Sequence, residues 1–144
     1  MTGMTVRRAL ASDAEAVADI AKRPFAARWS REAYAAEAGR ADAIFLIAEI
    51  GAVRGYAVAR VVEADVQLLD LAAAEDGLGA GRRLWEELAQ AARSRGASRL
   101  TLEVSSANSR ARRFYERAGA RVVGRRAKFY NDGSDAILMD FPLA

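Results

Sequence analysis

The side chains of Glu103 and Tyr115 are the strongest candidates in this sequence for moving protons. The 144 residues include no histidine and no cysteine. This excludes a Ser-His-Asp triad, a cysteine nucleophile and metal sites built from thiolates or imidazoles. Catalysis must therefore use Asp, Glu, Tyr, Ser or Lys side chains or backbone amides. Both candidates also have an ordinary explanation, Glu103 as a solvent-facing strand residue and Tyr115 as a tyrosine that anchors a helix.

A glycine-rich turn is the second chemical feature of the sequence. Residues 75–84 read Glu-Asp-Gly-Leu-Gly-Ala-Gly-Arg-Arg-Leu and connect an expected strand to an expected helix. Glycine permits close backbone approach and a helix N-terminus presents unpaired amides, so the turn could bind a phosphate or pyrophosphate group. It is neither a dinucleotide-binding fingerprint nor a P-loop, because Arg82 replaces the third glycine and no Gly-Lys-Ser/Thr follows. A flexible turn before a capped helix explains the glycines equally well.

Hydrophobic periodicity predicts the elements that must position these residues. Residues 5–9, 43–50, 55–62, 65–73, 99–105, 121–127 and 136–141 are expected strands, and residues 12–23, a segment from 31, 79–95 and 108–118 are expected helices. Ser12, with Glu15 three residues later, predicts a capping box for the first helix. Three consecutive strands imply antiparallel neighbours, and the strand–helix–strand unit over 66–105 implies a parallel crossover. The pattern predicts a mixed α/β sheet with helices on both faces.

Composition narrows the location and the partners. The chain has 22 basic and 19 acidic residues, and the net charge of +3 is too small to require nucleic-acid binding. Lys22 and Lys128 are the only lysines, so the positive charge is carried mainly by arginine, which suits phosphate. No apolar run is long enough to span a membrane, and the first ten residues lack a signal-peptide core. We expect a single cytoplasmic domain over 1–144, a monomer or weak dimer, with no membrane or direct nucleic-acid partner.

Three stretches carry a resemblance to a known family. The glycine turn with Gly81-Arg82-Arg83-Leu84, followed by Leu102-Glu103-Val104, is similar to the acetyl-CoA site of the GCN5-related N-acetyltransferases (GNAT). Residues 108–119, Asn-Ser-Arg-Ala-Arg-Arg-Phe-Tyr-Glu-Arg-Ala-Gly, match the family pattern N-x-x-A-x-x-[aromatic/aliphatic]-Y-x-x-x-G at every fixed position. The tail 128–139, Lys-Phe-Tyr-Asn-Asp-Gly-Ser-Asp-Ala-Ile-Leu-Met, and the pair Trp29-Ser30 resemble the ribosomal-protein-alanine N-acetyltransferases within that family. The resemblance covers the whole chain.

The resemblance implies a GNAT fold, with a mixed, mostly antiparallel sheet of six or seven strands and about four helices on both faces. It implies acetyl-CoA as cofactor and no metal. Glu103 would accept the proton of the acceptor amine, and Tyr115 would protonate the departing thiolate. Trp29 and Tyr130 would contact the substrate, although ordinary packing explains each of them as well. The implied cofactor-binding residues are Leu71, Ala72, Ala73, Gly77, Leu78, Gly79, Ala80, Gly81, Arg82 and Asn108.

The implied reaction is direct acetyl transfer, in a ternary complex, to a protein N-terminal amine. The expected acceptor is the N-terminal alanine of a small-subunit ribosomal protein. Two alternatives stay open: an acetyltransferase for a small-molecule amine or a lysine side chain, and a non-catalytic acetyl-CoA-binding or ribosome-associated module.

Three positions depart from the family pattern. Asp76 stands where Gln or Arg is usual, Ala120 replaces an aromatic residue, and Phe129-Tyr130 replaces a tyrosine pair.

Overall fold

The computed structural model describes residues 3–143, which form a seven-stranded sheet with helices on both faces. The helices and strands, in chain order, are β1 (Thr5–Arg8), α1 (Ala14–Ile20), α2 (Arg31–Glu37), β2 (Ala43–Ile50), β3 (Ala52–Val62), β4 (Asp65–Ala73), α3 (Ala80–Ser94), β5 (Arg99–Ser105), α4 (Ser109–Arg117), β6 (Arg121–Arg126) and β7 (Ala136–Pro142). The strand order is β1-β2-β3-β4-β5-β7-β6. Among the strands of residues 3–143, only β4 and β5 pair in parallel, as the crossover through α3 predicts.

Two hydrophobic clusters lie on opposite faces of the sheet, and alternate side chains of β2 contribute to each of them. Ile44 and Leu46 pack in the cluster beneath α3 and α4, whereas Phe45 and Ile47 pack in the cluster beneath α1 and α2. The fold class predicted for this chain is thereby confirmed. Within residues 3–143, no helix combines the length and the apolar character that crossing a bilayer would require.

The predicted start of the first helix was wrong. A short 3₁₀ turn over Ala11–Asp13 precedes α1, and Asp13 rather than Ser12 takes the capping role. The Asp13 carboxylate accepts from the backbone N–H of Leu10 at 2.7 Å and pairs with Arg7 at 2.8 Å. The pairing with Arg7, six residues earlier, helps to hold the buried Asp13, and the Arg7 hydrogen bond lowers the pKa of the Asp13 carboxyl. The helix also ends at Ile20, before Pro24, which disfavours helical backbone at the residue preceding it.

The predicted bounds of β2, β4 and β5 match the structure, and those of the other elements after α1 differ from it by at most three residues. The largest difference is at β3, which begins at Ala52 instead of residue 55, because Gly51 turns the chain tightly with φ +70° and lets Ala52 pair with Ile50. Ser30 caps α2, since its hydroxyl accepts from the backbone N–H of Ala33 at 3.1 Å.

Candidate active site

A cleft opens where β4 and β5 separate. The two strands pair only from Asp65 to Gln67 on β4, while β4 stays paired with β3 as far as Ala73. Val58 pairs with Asp70 and Ala59 pairs with Leu68, so Leu69 is an extra residue in β4, a β-bulge. Beyond Gln67, one backbone edge of β4 has no strand partner among residues 3–143. That edge can pair with an extended ligand as another strand would.

One end of the cleft is a cavity of about 720 Å³ beside the glycine-rich turn. Gly77 and Gly79 have φ of +87° and +79°, which only glycine adopts readily, and the backbone then enters α3 at Ala80. The free amides of this first turn and the positive end of the helix dipole suit a pyrophosphate. Of the predicted cofactor residues, all but Leu78 line this cavity: Leu71, Ala72, Ala73, Gly77, Gly79, Ala80, Gly81, Arg82 and Asn108. Leu78 packs instead against the hydrophobic cluster beneath α3.

Asp76 does not stand alone beside that turn. Its carboxylate pairs with Arg110, the second residue of α4, at 2.7 Å and with Arg23, which follows α1, at 3.4 Å. The Arg110 hydrogen bond lowers the pKa of the Asp76 carboxyl. The negative charge at the position where the family usually has Gln or Arg is therefore compensated by two arginines from other parts of the chain.

The other end of the cleft is a cavity of about 450 Å³ that contains Glu103 and Tyr130. The two cavities share one set of lining residues: Phe25, Ala26, Leu71, Asn108, Ala111 and Tyr115. Asn108 caps α4, because its side-chain oxygen accepts from the N–H of Ala111 at 3.2 Å. The shared lining makes the cavities one continuous channel, with Tyr115 at their junction.

Tyr115 is well placed to act as a hydrogen-bond donor in this channel. Its side chain is only 8% exposed, and its hydroxyl makes no hydrogen bond to any residue in the range 3–143. Burial, with a smaller contribution from the charge of Asp70, raises the pKa of the phenol above its usual value. Tyr115 therefore keeps its proton at neutral pH and has that proton free for a ligand.

Glu103 faces the channel from β5. Its side chain is 28% exposed and lies 3.6 Å from Arg126, whose guanidinium is also 5.4 Å from the centre of the Phe129 ring. Water can reach the carboxylate, because the side chain is partly exposed. Burial and the charge of Glu103 raise the pKa of Tyr130.

A carboxylate that sequence reasoning missed lies in the wall of the cavity that holds Glu103. Asp70 is 6% exposed and lines the Glu103 cavity. One of its oxygens accepts from the hydroxyls of Tyr34 and Tyr56 at 2.7 Å each, and the other accepts from the N–H of Ala27 at 3.2 Å. Burial raises the pKa values of both phenols, so they remain donors. An acidic residue between Leu69 and Leu71, in the apolar half of β4, was the one signal in the sequence that could have found it.

Trp29 stacks on Tyr34 with ring centres 5.3 Å apart and lines neither of the two cavities. It helps to fix the segment 24–30, of which Phe25, Ala26 and Ala27 line the channel. Its contact with the substrate remains a prediction. Tyr130 does line the cavity that holds Glu103. Within residues 3–143, no group of three or more acidic side chains is arranged to hold a metal ion.

Comparison with known proteins identifies the family. A model of the acetyltransferase (GNAT) family matches residues 14–120. This chain belongs to the GNAT family. The [ribosomal protein bS18]-alanine N-acetyltransferase of Escherichia coli K12 is 31% identical over 138 residues, which cover 92% of this chain and 93% of that protein. The crystal structure of the ribosomal-protein-S18-alanine N-acetyltransferase from Escherichia coli has a TM-score of 0.87 and 28% identity, covering 98% of this chain and 94% of that chain.

Acetyl-CoA is the cofactor of GNAT acetyltransferases, and the channel in this chain fits it. The structure of yncA from Salmonella typhimurium, which has the same fold and contains its cofactor acetyl-CoA, has a TM-score of 0.82 and 22% identity, covering 98% of this chain and 94% of that chain. In the present chain, the unpaired edge of β4 suits the amides of pantetheine. The amides before α3 suit the pyrophosphate. Tyr115, whose hydroxyl makes no hydrogen bond within residues 3–143, lines both cavities.

Proposed function

We propose that this acetyltransferase modifies the N-terminal amine of a protein, and that its acceptor is the N-terminal alanine of a small-subunit ribosomal protein. The observation that carries the proposal is the 31% identity, over 92% of the chain, to the [ribosomal protein bS18]-alanine N-acetyltransferase. The tail that resembles this class of enzyme contributes Tyr130, Asn131 and Asp132 to the cavity that holds Glu103. A cytoplasmic location follows from such an acceptor.

The chemistry needs no covalent enzyme intermediate. Bound acetyl-CoA supplies the acetyl group as an activated thioester. In the proposed reaction, Glu103 accepts the proton that the amine loses as the N–C bond forms, through a water molecule where the amine does not touch the carboxylate. Tyr115 donates its hydrogen bond to the sulfur as the C–S bond breaks and the sulfur becomes negative. Burial makes this phenol a weaker acid than usual. The hydrogen bond from the Tyr115 hydroxyl therefore stabilises the thiolate first, and any full transfer of the proton from oxygen to sulfur comes later.

The shape of the acceptor side favours a peptide over a small amine. A shallow groove of about 340 Å³ continues the cavity past Leu102 and Glu103, which line both, along β5 and β7. A small amine would fill only the inner cavity. A chain that continues beyond its first residue could occupy the groove as well. The Asp70 carboxylate in the inner cavity adds a negative charge that attracts an ammonium group before it loses its proton.

The test is an acetylation assay on peptides that begin with the alanine of bS18. The same peptide with a blocked N-terminus and an internal lysine is the control for side-chain transfer, and spermidine and an aminoglycoside are the controls for small amines. Mass spectrometry locates the acetyl group. We expect it on the alanine nitrogen, with kcat/KM at least about ten-fold above that of any control.

The other outcomes are equally informative. Turnover of a small amine without peptide acetylation would replace the proposed acceptor and leave the acetyltransferase assignment intact. Acetyl-CoA binding without turnover of any amine would instead favour a non-catalytic module. Shortening the peptide to two residues tests the groove along β5 and β7. We expect its KM to rise, because the shortened peptide no longer reaches the groove.

A further inference from the structure

Three charged side chains meet across the cofactor end of the channel. Arg23 lies between α1 and α2, Asp76 lies in the turn before α3, and Arg110 lies in the first turn of α4. All three line the 720 Å³ cavity. Arg110 Nη1 is 2.7 Å from one oxygen of the Asp76 carboxylate, and Arg23 Nη2 is 3.4 Å from the other. We call this set the Asp76 bridge.

The bridge fixes the directions of both arginines. Arg23 also donates through Nη1 to the carbonyl of Ala73, the last residue of β4, at 2.5 Å. Its guanidinium is therefore oriented by two acceptors from the strand and turn that hold the cofactor. A guanidinium binds a carboxylate and a phosphate through the same planar pattern of N–H groups. A pair of arginines that converge on a carboxylate is thus also arranged to converge on a phosphate oxygen.

The charged residues of the cavity also favour a phosphate site between Arg23 and Arg110. Its basic residues are Arg23, Arg82 and Arg110, and its acidic residues are Glu75 and Asp76. Arg82 points to Glu86, one turn further along α3, at 3.0 Å. Arg23 and Arg110 both face Asp76. Coenzyme A carries a pyrophosphate and a 3′-phosphate, which are attracted to a guanidinium as a carboxylate is.

We propose that Arg23 and Arg110 form a phosphate-binding pair for the cofactor, and that Asp76 occupies the pair until a cofactor phosphate displaces it. The inference rests on cofactor use and is independent of the acceptor. Asp76 then both orients the arginines and limits affinity, because its charge must be separated from them before the phosphate binds. Sequence comparison alone would treat Asp76 as a lost phosphate ligand, whereas this arrangement makes it a competitor whose removal strengthens binding.

The test is calorimetric titration of the full chain with coenzyme A at low ionic strength, without any acceptor. Asp76→Asn should bind coenzyme A about five-fold more tightly than the unmodified chain, and Arg110→Gln should bind it about ten-fold more weakly. Arg23→Gln should also weaken binding. The matched controls are Asp42→Asn and Arg40→Gln, which alter an exposed pair 2.8 Å apart that lines neither cavity. They should leave the affinity within about two-fold.

Ligand and salt identify the group that is bound. Dephospho-coenzyme A lacks the 3′-phosphate. If the Asp76→Asn gain is lost with this ligand, the pair binds the 3′-phosphate, and if the gain persists, the pair binds the pyrophosphate. In about 0.5 M salt the gain should shrink to less than about two-fold, since exposed charges are screened. Equal or weaker binding by Asp76→Asn, or unchanged binding by both arginine variants, would overturn the proposal.

Discussion

Replacing Tyr115 with phenylalanine removes one oxygen atom from the junction of the two cavities. That oxygen makes no hydrogen bond within residues 3–143, and the ring contacts with Trp85 and Phe114, at 5.5 and 5.2 Å between centres, do not depend on it. The free energy of unfolding should therefore change by less than about 0.5 kcal/mol. The loss should fall on the reaction instead, because a donor aimed at a developing anion in a buried site contributes about 10²–10³-fold to kcat.

Three measurements separate these effects for Tyr115→Phe: kcat with an alanine-starting peptide, the Kd for coenzyme A by calorimetry, and urea unfolding. We expect a lower kcat, with Kd and stability unchanged. The matched control is Tyr56→Phe, which removes a buried phenol that donates to Asp70 at 2.7 Å. That variant should lose about 2 kcal/mol of stability, since a hydrogen bond to a charged group is broken. Its kcat should stay within about five-fold, because the Tyr56 hydroxyl does not line the cavities.

The reasoning about Tyr115 fails if the phenylalanine variant keeps its kcat within about three-fold. It also fails if kcat falls only in step with a loss of folded protein, since the hydroxyl would then be structural. A pH profile adds an independent check. Because burial raises the pKa of Tyr115, ionisation of this residue should cause no fall in the wild-type kcat below about pH 10.

The remaining predictions concern the two carboxylates and the buried phenols. Glu103→Gln should lower kcat about 10²-fold and leave the coenzyme A Kd unchanged. The control is Glu87→Gln, which neutralises an α3 glutamate that lines neither cavity and should leave both values unchanged. Equal kcat values for the two variants would contradict the role of Glu103 as the base. Asp70→Asn should raise the acceptor KM about ten-fold and speed amide exchange at Ala27, whose N–H the carboxylate holds; unchanged exchange would mean that the bond does not restrain segment 24–30. The buried phenols of Tyr34, Tyr56 and Tyr115 have raised pKa values in the folded chain, so the unfolded chain loses these protons at lower pH. The free energy of unfolding should therefore be intact below about pH 10 and fall above it by up to about 1.4 kcal/mol per pH unit for each tyrosine. Urea unfolding at pH 9 to 11 should show a smaller fall per pH unit for Tyr56→Phe than for the unmodified chain.

Local patterns were sufficient to predict most of the elements. The predicted limits of β2, β4 and β5 match the structure residue for residue, because each strand is a run of apolar or alternating residues bounded by turn residues. Asn108 was placed correctly at the start of α4, since an asparagine oxygen suits the first free N–H groups of a helix. These features depend on neighbours within a few residues, which the sequence displays directly.

Features that depend on distant partners could not be predicted in this way. The partners that define Asp70, namely Tyr34 and Tyr56, lie 36 and 14 residues before it. The alternation of β4 assigns Asp70 to the same face as Leu68, the face beneath α3. The extra residue at Leu69 reverses that assignment, and nothing in the local sequence marks the bulge. The arginines that compensate Asp76 come from segments 53 residues before it and 34 residues after it.

The bulge at Leu69 determines both where the Asp70 side chain points and where the channel opens. Without it, β4 would continue its alternation and direct Asp70 into the cluster beneath α3, where an unpaired carboxylate would cost several kcal/mol. With it, Asp70 reaches the two phenols on the other face. The bulge follows Gln67, the last β4 residue that pairs with β5, so it lies where the channel opens. The chain has no histidine or cysteine, and the reaction proposed for it uses an open strand edge, a phenol and a carboxylate held at fixed positions. One irregular residue in β4 accounts for much of that placement.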